Sequence, residues 1–426
     1  MDIQNMFAER IGGNQFGINN EIYKFALIKE WKRNAQSKFK DIMPLIDMGV
    51  GEPDIGADSS VVELLSSEAR KPENRFYADN GIEEFRVSAL QYMKKVFNVG
   101  NLTTNNILHG IGSKPILSIL PECFINEGDY LIQTVPGYPV MATHTRYCGG
   151  KVYSLPLKEE NNYYPDFSEI PDEVLEKAKL LYINYPNNPT GQIATKDFFE
   201  YVVAFAKKNN IIVVHDAAYA ALTYNGVKPL SFLSVDGAID VGVEIHSLSK
   251  SFNMTGWRLG FVVGNEKIIS AYGAVKDNAD SGQFRAIQKA GAFALSHTEI
   301  TENTIRKYDR RFNLLVDVLN ESGFRCKKPN GTFYLYVKAP IGTKSGVVFN
   351  SALKVAEYLL QNANISVVPW DDSGHYLRFS VTFEASSVDD EIKIMNELRK
   401  RLKVLDVNFA RSAPLARSFS TTVTEK

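Results

Sequence analysis

Cysteine is scarce: three in 426 residues, Cys123, Cys148 and Cys326. They are odd in number and widely spaced, with no CxxC pair and no Cys/His cluster, so a disulfide framework and a structural metal site are both excluded. Such cysteines read as small buried hydrophobes of a reducing compartment. Long apolar runs are lacking too. None approaches the ~20 residues that a membrane helix needs, and the opening MDIQNMFAER has no apolar signal-peptide core, so a cytoplasmic protein without a membrane partner is expected. Nor is there an excess of either charge. Lys and Arg number 48 against 49 Asp and Glu, which leaves no electrostatic footprint for nucleic acid. What is present is ordinary for a soluble globular protein: 44% hydrophobic and 23% charged residues, in a chain long enough for a large domain with a smaller one attached.

Residues 14–38 begin with a turn at Gly17 and a cap at Asn19 or Asn20, then set Ile22, Phe25, Ala26 and Ile28 among charges, the pattern of an amphipathic helix or arm. LIDMGVGEPD (45–54) reads as a strand entering a Gly/Pro turn in which Gly51 permits close backbone approach. A helix near 59–70 leads to a polar loop with Tyr77 and Gly81, then a second helix to about Val96. From 105, six short apolar runs (ILHGI, YLIQTV, LLYIN, IIVVH, VEIHSL and GFVVG) alternate with helical stretches. That is an α/β pattern with one mostly parallel sheet. After about 300 come a helix at 301–321, a strand pair around TFYLYV, a helix at 351–363, a strand through 368 and another at 376–383. A last helix starts at Ser387 with Asp390 as capping partner and Ile392, Met395, Leu398 and Leu402 on one face. The divisions expected are an arm with part of a small domain (1–55), a large domain (56–300), a small α+β domain (301–405) and a mobile tail (406–426).

Several runs end in residues that can do chemistry, and open α/β sheets bind ligands at the carboxyl ends of their strands. Lys250 follows the alternating Val243, Ile245, Ser247 and Ser249, so it reads as a lysine at a strand end, with Ser247 and Arg258 spaced to grip a phosphate. It is either a solvated lysine or an amine desolvated for Schiff-base chemistry on a phosphorylated aldehyde. Asp216 sits at the tip of a buried strand and must face a positive partner, or else cap the next helix. Tyr219 lies one helical turn on. YPNNPTG (185–191) fixes Asn188 in a rigid turn, architectural or donating to a ring hydroxyl. GIGSKP (110–115) offers Ser113 and Lys114 at a helix start to an anion, and Tyr138 stacks on a flat ring or packs beside its prolines. Arg378 interrupts an apolar strand and needs an anion, either a carboxylate ligand or a structural partner.

In order, the chain shows GEPD, a Tyr/Gly loop, GSK, YP, NNPTG, DAAY, SLSK with Arg258 eight residues later, and RFS. That series resembles the class I/II aminotransferases, pyridoxal 5'-phosphate (PLP) enzymes of the aspartate-aminotransferase fold, up to about residue 405. The resemblance implies that Lys250 carries the cofactor, Asp216 faces its ring nitrogen, Asn188 and Tyr219 its hydroxyl, and Tyr138 its ring face. It gives the phosphate to Ser113, Lys114, Ser247, Ser249 and Arg258, and the substrate carboxylate to Arg378 and Gly51. Tyr77 reaches in to the cofactor phosphate and the substrate from the second subunit of a homodimer. Lys114, Tyr138 and Asn188 also touch substrate. Within the family, stretches such as HGIGSKP, VVHDAAYAALT and EIHSLSKSFNMTGWR look most like the LL-diaminopimelate aminotransferases, which act in lysine synthesis with glutamate as amino donor. The chain departs from that pattern at Phe16, where family members carry Tyr, and at Gln283 or Arg285, where they carry Asn. The expected activity is PLP-dependent transamination between LL-2,6-diaminopimelate and 2-oxoglutarate. A general aspartate or aromatic aminotransferase, or a related PLP lyase, is the alternative. A non-enzymatic reading, the aminotransferase-like half of a transcription regulator, calls for a DNA-binding domain, and nothing before residue 45 reads as one.

Overall fold

The computed structural model describes residues 2–18 and 24–409. The cap expected at Asn19 or Asn20 and the tail from 410 on lie outside these residues. The central sheet comprises β1 (Ile107–Gly110), β2 (Tyr130–Val135), β3 (Lys151–Pro156), β4 (Ala178–Asn184), β5 (Ile212–Asp216), β6 (Gly242–Ser247) and β7 (Gly260–Gly264), in the spatial order β1-β7-β6-β5-β4-β2-β3. All neighbours are parallel except that β7 runs against both β1 and β6. This is the expected α/β architecture.

Neighbouring residues of a strand point to opposite faces. Leu180 and Tyr182 join one core, Leu181 and Ile183 the other, and Val213 and Val214 divide in the same way. Both faces are therefore covered, which is why these strands read as continuous apolar runs rather than alternating ones. The sheet has one strand more than the six runs expected. β3 is one of the two edge strands, and unlike β1 at the other edge its KVYSLP is largely half-buried or exposed, so it carries no apolar run.

A second core gathers around three antiparallel strands, β8 (Tyr334–Lys338), β9 (Val368–Trp370) and β10 (Tyr376–Ser380), in the order β9-β10-β8. TFYLYV thus contributes one strand, which pairs with β10 and not with a sequence neighbour. Ile46–Asp47 joins this region by pairing in parallel with Ile365–Ser366. On the last helix, Val388–Leu405, Ser387 Oγ caps the N–H of Asp390 at 3.2 Å. Its inner face is Glu391, Met395, Leu398 and Leu402, and Ile392 is exposed, contrary to expectation. Glu391 holds that inner place because Arg311 Nε donates to its Oε1 at 2.8 Å and Arg310 Nε to its Oε2 at 2.7 Å. The buried Arg311 also donates to Asp54 Oδ2 (2.9 Å) and to the carbonyls of Val381 and Phe383 (2.9 and 2.8 Å), so one guanidinium ties the GEPD loop to the last helix. The tail begins later than 406. Val407–Asn408 pairs antiparallel with Gly342–Thr343, and Val407 is buried. Among the described residues no helix is long and apolar enough to cross a membrane.

Candidate active site

The strands β1, β2, β4, β5 and β6 end at one edge of the sheet, and β7 starts there: Gly260 is registered opposite both Gly110 and Ser247. This reversed strand is what delivers Arg258, two residues before it, to the edge where the other strands finish. The edge opens into a cleft of about 390 Å³. Gly51, Ser113, Lys114, Tyr138, Asn188 and Asp216 line it, together with Tyr219, Ser247, Ser249, Lys250, Arg258 and Arg378.

Lys250 is not at the strand end itself. β6 stops at Ser247, whose Oγ accepts the N–H of Ser249 at 3.2 Å and turns the chain into a single helical turn, Leu248–Ser251. Lys250 lies on that turn and its Nζ donates to the Gly51 carbonyl at 2.7 Å. Burial pushes its amine down to about 8, with Arg378 and Arg258 adding to the effect and Glu52 and Asp216 opposing it. A larger fraction of this amine than of an ordinary lysine is thus neutral near physiological pH, the state a base or nucleophile requires.

Asp216 closes β5. Within the chain its hydrogen-bond donors are neutral: Tyr182 OH reaches Oδ2 at 3.0 Å and the N–H of Ala218 reaches Oδ1 at 3.1 Å. That second bond belongs to a turn, and no helix follows for Asp216 to cap. Burial pushes the carboxyl up, and the two donors counter it. Asn184 Oδ1 accepts the N–H of Asn188 at 2.8 Å and so fixes the YPNNPTG turn, while Tyr219 OH and Tyr334 OH lie 3.3 Å apart.

Gly112, at φ 83°, precedes the helix Ser113–Phe124, and a Cβ there would stand 2.2 Å from Arg258 Nη2. Only glycine lets the guanidinium lie against that helix N-terminus. Arg258 is itself left-handed (φ 57°), held by Nη1 donating to the Thr255 carbonyl at 2.9 Å and to Ser249 Oγ at 3.4 Å. Across the cleft the buried Arg378 donates through Nη1 to Asn188 Oδ1 at 3.0 Å, its guanidinium 3.9 Å above the Tyr334 ring. Its Nε is buried without a hydrogen-bond partner.

Three predicted residues stand apart. Tyr77 is 78% exposed, and Arg285 Nη2 donates to its carbonyl at 2.7 Å. Phe16 is exposed and packs on Phe7, with ring centroids 4.8 Å apart. None of the three lines the cleft, because the segments that carry them lie on the outer surface of the chain. Gln283, the other candidate of that segment, is buried and donates to the carbonyls of Trp257 and Arg258 at 2.8 and 2.7 Å. Sequence reasoning also passed over Tyr182, Asn184, Tyr334, Trp370 and Glu52, all of which line the cleft or hold a residue that does. The first four look like core or turn residues. Glu52 was in view within GEPD without a role.

The model for aminotransferase class I and II matches residues 43–395. An LL-diaminopimelate aminotransferase of Methanococcus maripaludis is 54% identical over 96% of this chain and 99% of its own. The substrate-bound structure of BacF from Bacillus subtilis is 32% identical, with a TM-score of 0.84 over 95% of this chain and 99% of that one. A mutant aspartate aminotransferase from Thermus thermophilus, at 22% identity and a TM-score of 0.80 over 93% and 99%, shows the same fold. With a matching model over most of its length and a strand edge that gathers lysine, aspartate and two arginines into one cleft, the chain belongs to the class I and II aminotransferase family.

Proposed function

We propose that this aminotransferase uses PLP to pass an amino group between LL-2,6-diaminopimelate and 2-oxoglutarate, making diaminopimelate from tetrahydrodipicolinate and glutamate in the biosynthetic direction. The observation that carries the reading is the meeting of Lys250, Asp216, Asn188 and Arg378 in one cleft. The substrate follows from the name of the relative that is 54% identical.

The residues fit a phosphate-bearing ring. Ser113 at a helix N-terminus, the hydroxyls of Ser247 and Ser249, Lys114 and Arg258 form an anion-binding donor set, and glycine at 112 keeps it open. When bound, PLP supplies an electron sink for the pair released as the substrate's Cα loses its proton. Lys250 Nζ takes that proton, the role its lowered affinity for protons suits. The Asp216 carboxylate, oriented by Tyr182, would hold the ring-nitrogen proton, Asn188 and Tyr219 would hold the ring hydroxyl, and Tyr138 would cover the ring. Arg378, steadied by Asn188 and Tyr334, grips the α-carboxylate with two parallel hydrogen bonds beside Gly51. A homodimer in the cytoplasm brings the exposed Tyr77 of one copy to the phosphate and substrate of the other, and its Arg285 and the Phe16 of its arm to the substrate's far end. Residues 56–300 and 301–405 form the two domains whose junction is the cleft.

The test is glutamate formation from LL-diaminopimelate and 2-oxoglutarate by the purified chain, beside aspartate, phenylalanine and tyrosine as donors. Faster turnover of aspartate or an aromatic amino acid replaces the diaminopimelate reading with the general aminotransferase. Light scattering tests the dimer in the same preparation.

A further inference from the structure

Gln283 belongs to the same surface segment as Arg285, yet its side chain turns inward. It is buried, and its Nε2 donates to the carbonyl oxygens of Trp257 and Arg258 at 2.8 and 2.7 Å. Carbonyls can only accept, so the nitrogen of the amide and not its oxygen must face them. A primary amide has two N–H donors. Both are committed to the backbone of this chain, and none remains for a substrate. Oε1, on the other side, is buried with no hydrogen-bond partner among the described residues. An unpaired buried acceptor costs stability, so packing alone would favour an apolar side chain at this position. What the glutamine adds is its pair of donors.

Those donors meet the chain where its backbone needs holding. Thr255–Trp257 is a single 3-10 turn, and Arg258 follows it at φ 57° and ψ 56°, left-handed without being glycine. A residue with a Cβ keeps that conformation only where its surroundings hold it. The Trp257 carbonyl belongs to the peptide plane before the φ bond of Arg258, and the Arg258 carbonyl to the plane after its ψ bond. One amide bonded to both therefore fixes both rotations, and with them the direction in which the Arg258 side chain leaves the backbone. Gln283 is itself held in place: Gln288 Nε2 donates to its carbonyl at 2.7 Å, and Gln288 Oε1 accepts the N–H of Ile82 at 2.9 Å.

We propose that Gln283 is a positioning residue of the phosphate grip: its amide clasps the carbonyls of Trp257 and Arg258 and so holds the Arg258 guanidinium against the start of the helix Ser113–Phe124. The ligand it serves is a phosphate ester in the cleft of its own chain, not the far end of a substrate in another copy's. It acts through the backbone, since Gln283 does not itself line the cleft. The proposal rests on the role given to Arg258 above.

The test compares binding of the cofactor with and without its phosphate, in the full-length chain freed of cofactor. Gln283→Met keeps the length of the side chain and removes both donors. Its Kd for PLP should rise about tenfold, the net worth of one hydrogen bond, while its Kd for pyridoxal, the same ring with a hydroxyl in place of the phosphate, stays at the wild-type value. In an Arg258→Ala background the same substitution should add nothing, because the group it positions is gone. Equal losses for PLP and pyridoxal, an unchanged PLP affinity, or a tenfold loss that persists without Arg258 each overturn the proposal. So does a raised KM for diaminopimelate with PLP affinity intact, which would return Gln283 to the substrate. Gln283→Asn, one methylene too short to reach both carbonyls, replaces a methionine variant that does not fold and is read in the same way. A wild type that binds pyridoxal as tightly as PLP removes the phosphate site, and the functional reading falls together with this proposal; each of the other failures leaves that reading standing.

Discussion

Lys250, Asp216, Asn188 and Arg258 sit at or just past the strand ends of the central sheet and share one cleft, whereas Tyr77, Arg285 and Phe16 are exposed and outside it. The first group is placed by register. Once Gly260 is opposite Ser247 and Gly110, the side chains beyond those positions have little choice of neighbour. The second group is carried by surface segments, where one chain supplies a backbone tether, such as Arg285 on the Tyr77 carbonyl, but no cleft. Within one chain the cleft is lined by the first group alone, and the second group meets cofactor and substrate only in the homodimer proposed above.

Four experiments press on that contrast. Lys250→Ala should fold normally and lose about 10⁴-fold in kcat, the upper range for deleting a general base; wild-type turnover in this variant would remove the sheet edge from the chemistry. Arg378→Ala should lower kcat/KM for every α-amino acid by about 3 kcal/mol, or roughly 150-fold, because it leaves a substrate carboxylate without its buried partner. Losses confined to one substrate would move Arg378 to the far side of the comparison. Arg285→Ala should cost diaminopimelate about tenfold in kcat/KM while sparing alanine, the size of one charged hydrogen bond. Equal losses on both would mean that the surface segment acts through folding and not through recognition. The smallest effect is a titration. In cofactor-free protein, acylation of Lys250 should rise through an inflection near pH 8, since its neutral fraction grows as pH climbs past its lowered value. An exposed lysine titrates near pH ~10.4 instead. An inflection there would show Nζ solvated.

The parts of the sheet that were legible in the sequence are those buried on both faces. ILHG, YLIQTV, LLYIN, IVVHD, GVEIHS and GFVVG have no solvated side, so their apolar runs are continuous. β3 escaped notice because it is largely uncovered, with Lys151 and Ser154 exposed, whereas ILHG at the other edge is buried throughout. The position of Lys250 was read one element too early, since a capping serine at 247 looks like one more alternating strand residue until its Oγ is seen on the next N–H. Tyr182 was illegible for a different reason: within an apolar run a tyrosine signals packing, and only the register that sets it beside β5 shows its hydroxyl on Asp216. Ile392 misled because helical period alone cannot tell that two arginines from another helix will claim the inner position for Glu391.

Arg311 also bears on the order in which the protein is made. The loop holding Gly51, whose carbonyl receives Lys250, leaves the ribosome before the central sheet, yet its neighbour Asp54 is anchored by an arginine that shares its charge with Glu391, which follows that sheet in the chain. Until that last helix emerges, Arg311 has half of its carboxylate partners, and a buried cation so deprived costs about 3 to 5 kcal/mol. The nascent chain can therefore lay down the central sheet as it is synthesised. It cannot close the floor of its own cleft until the helix that carries Glu391 has been made.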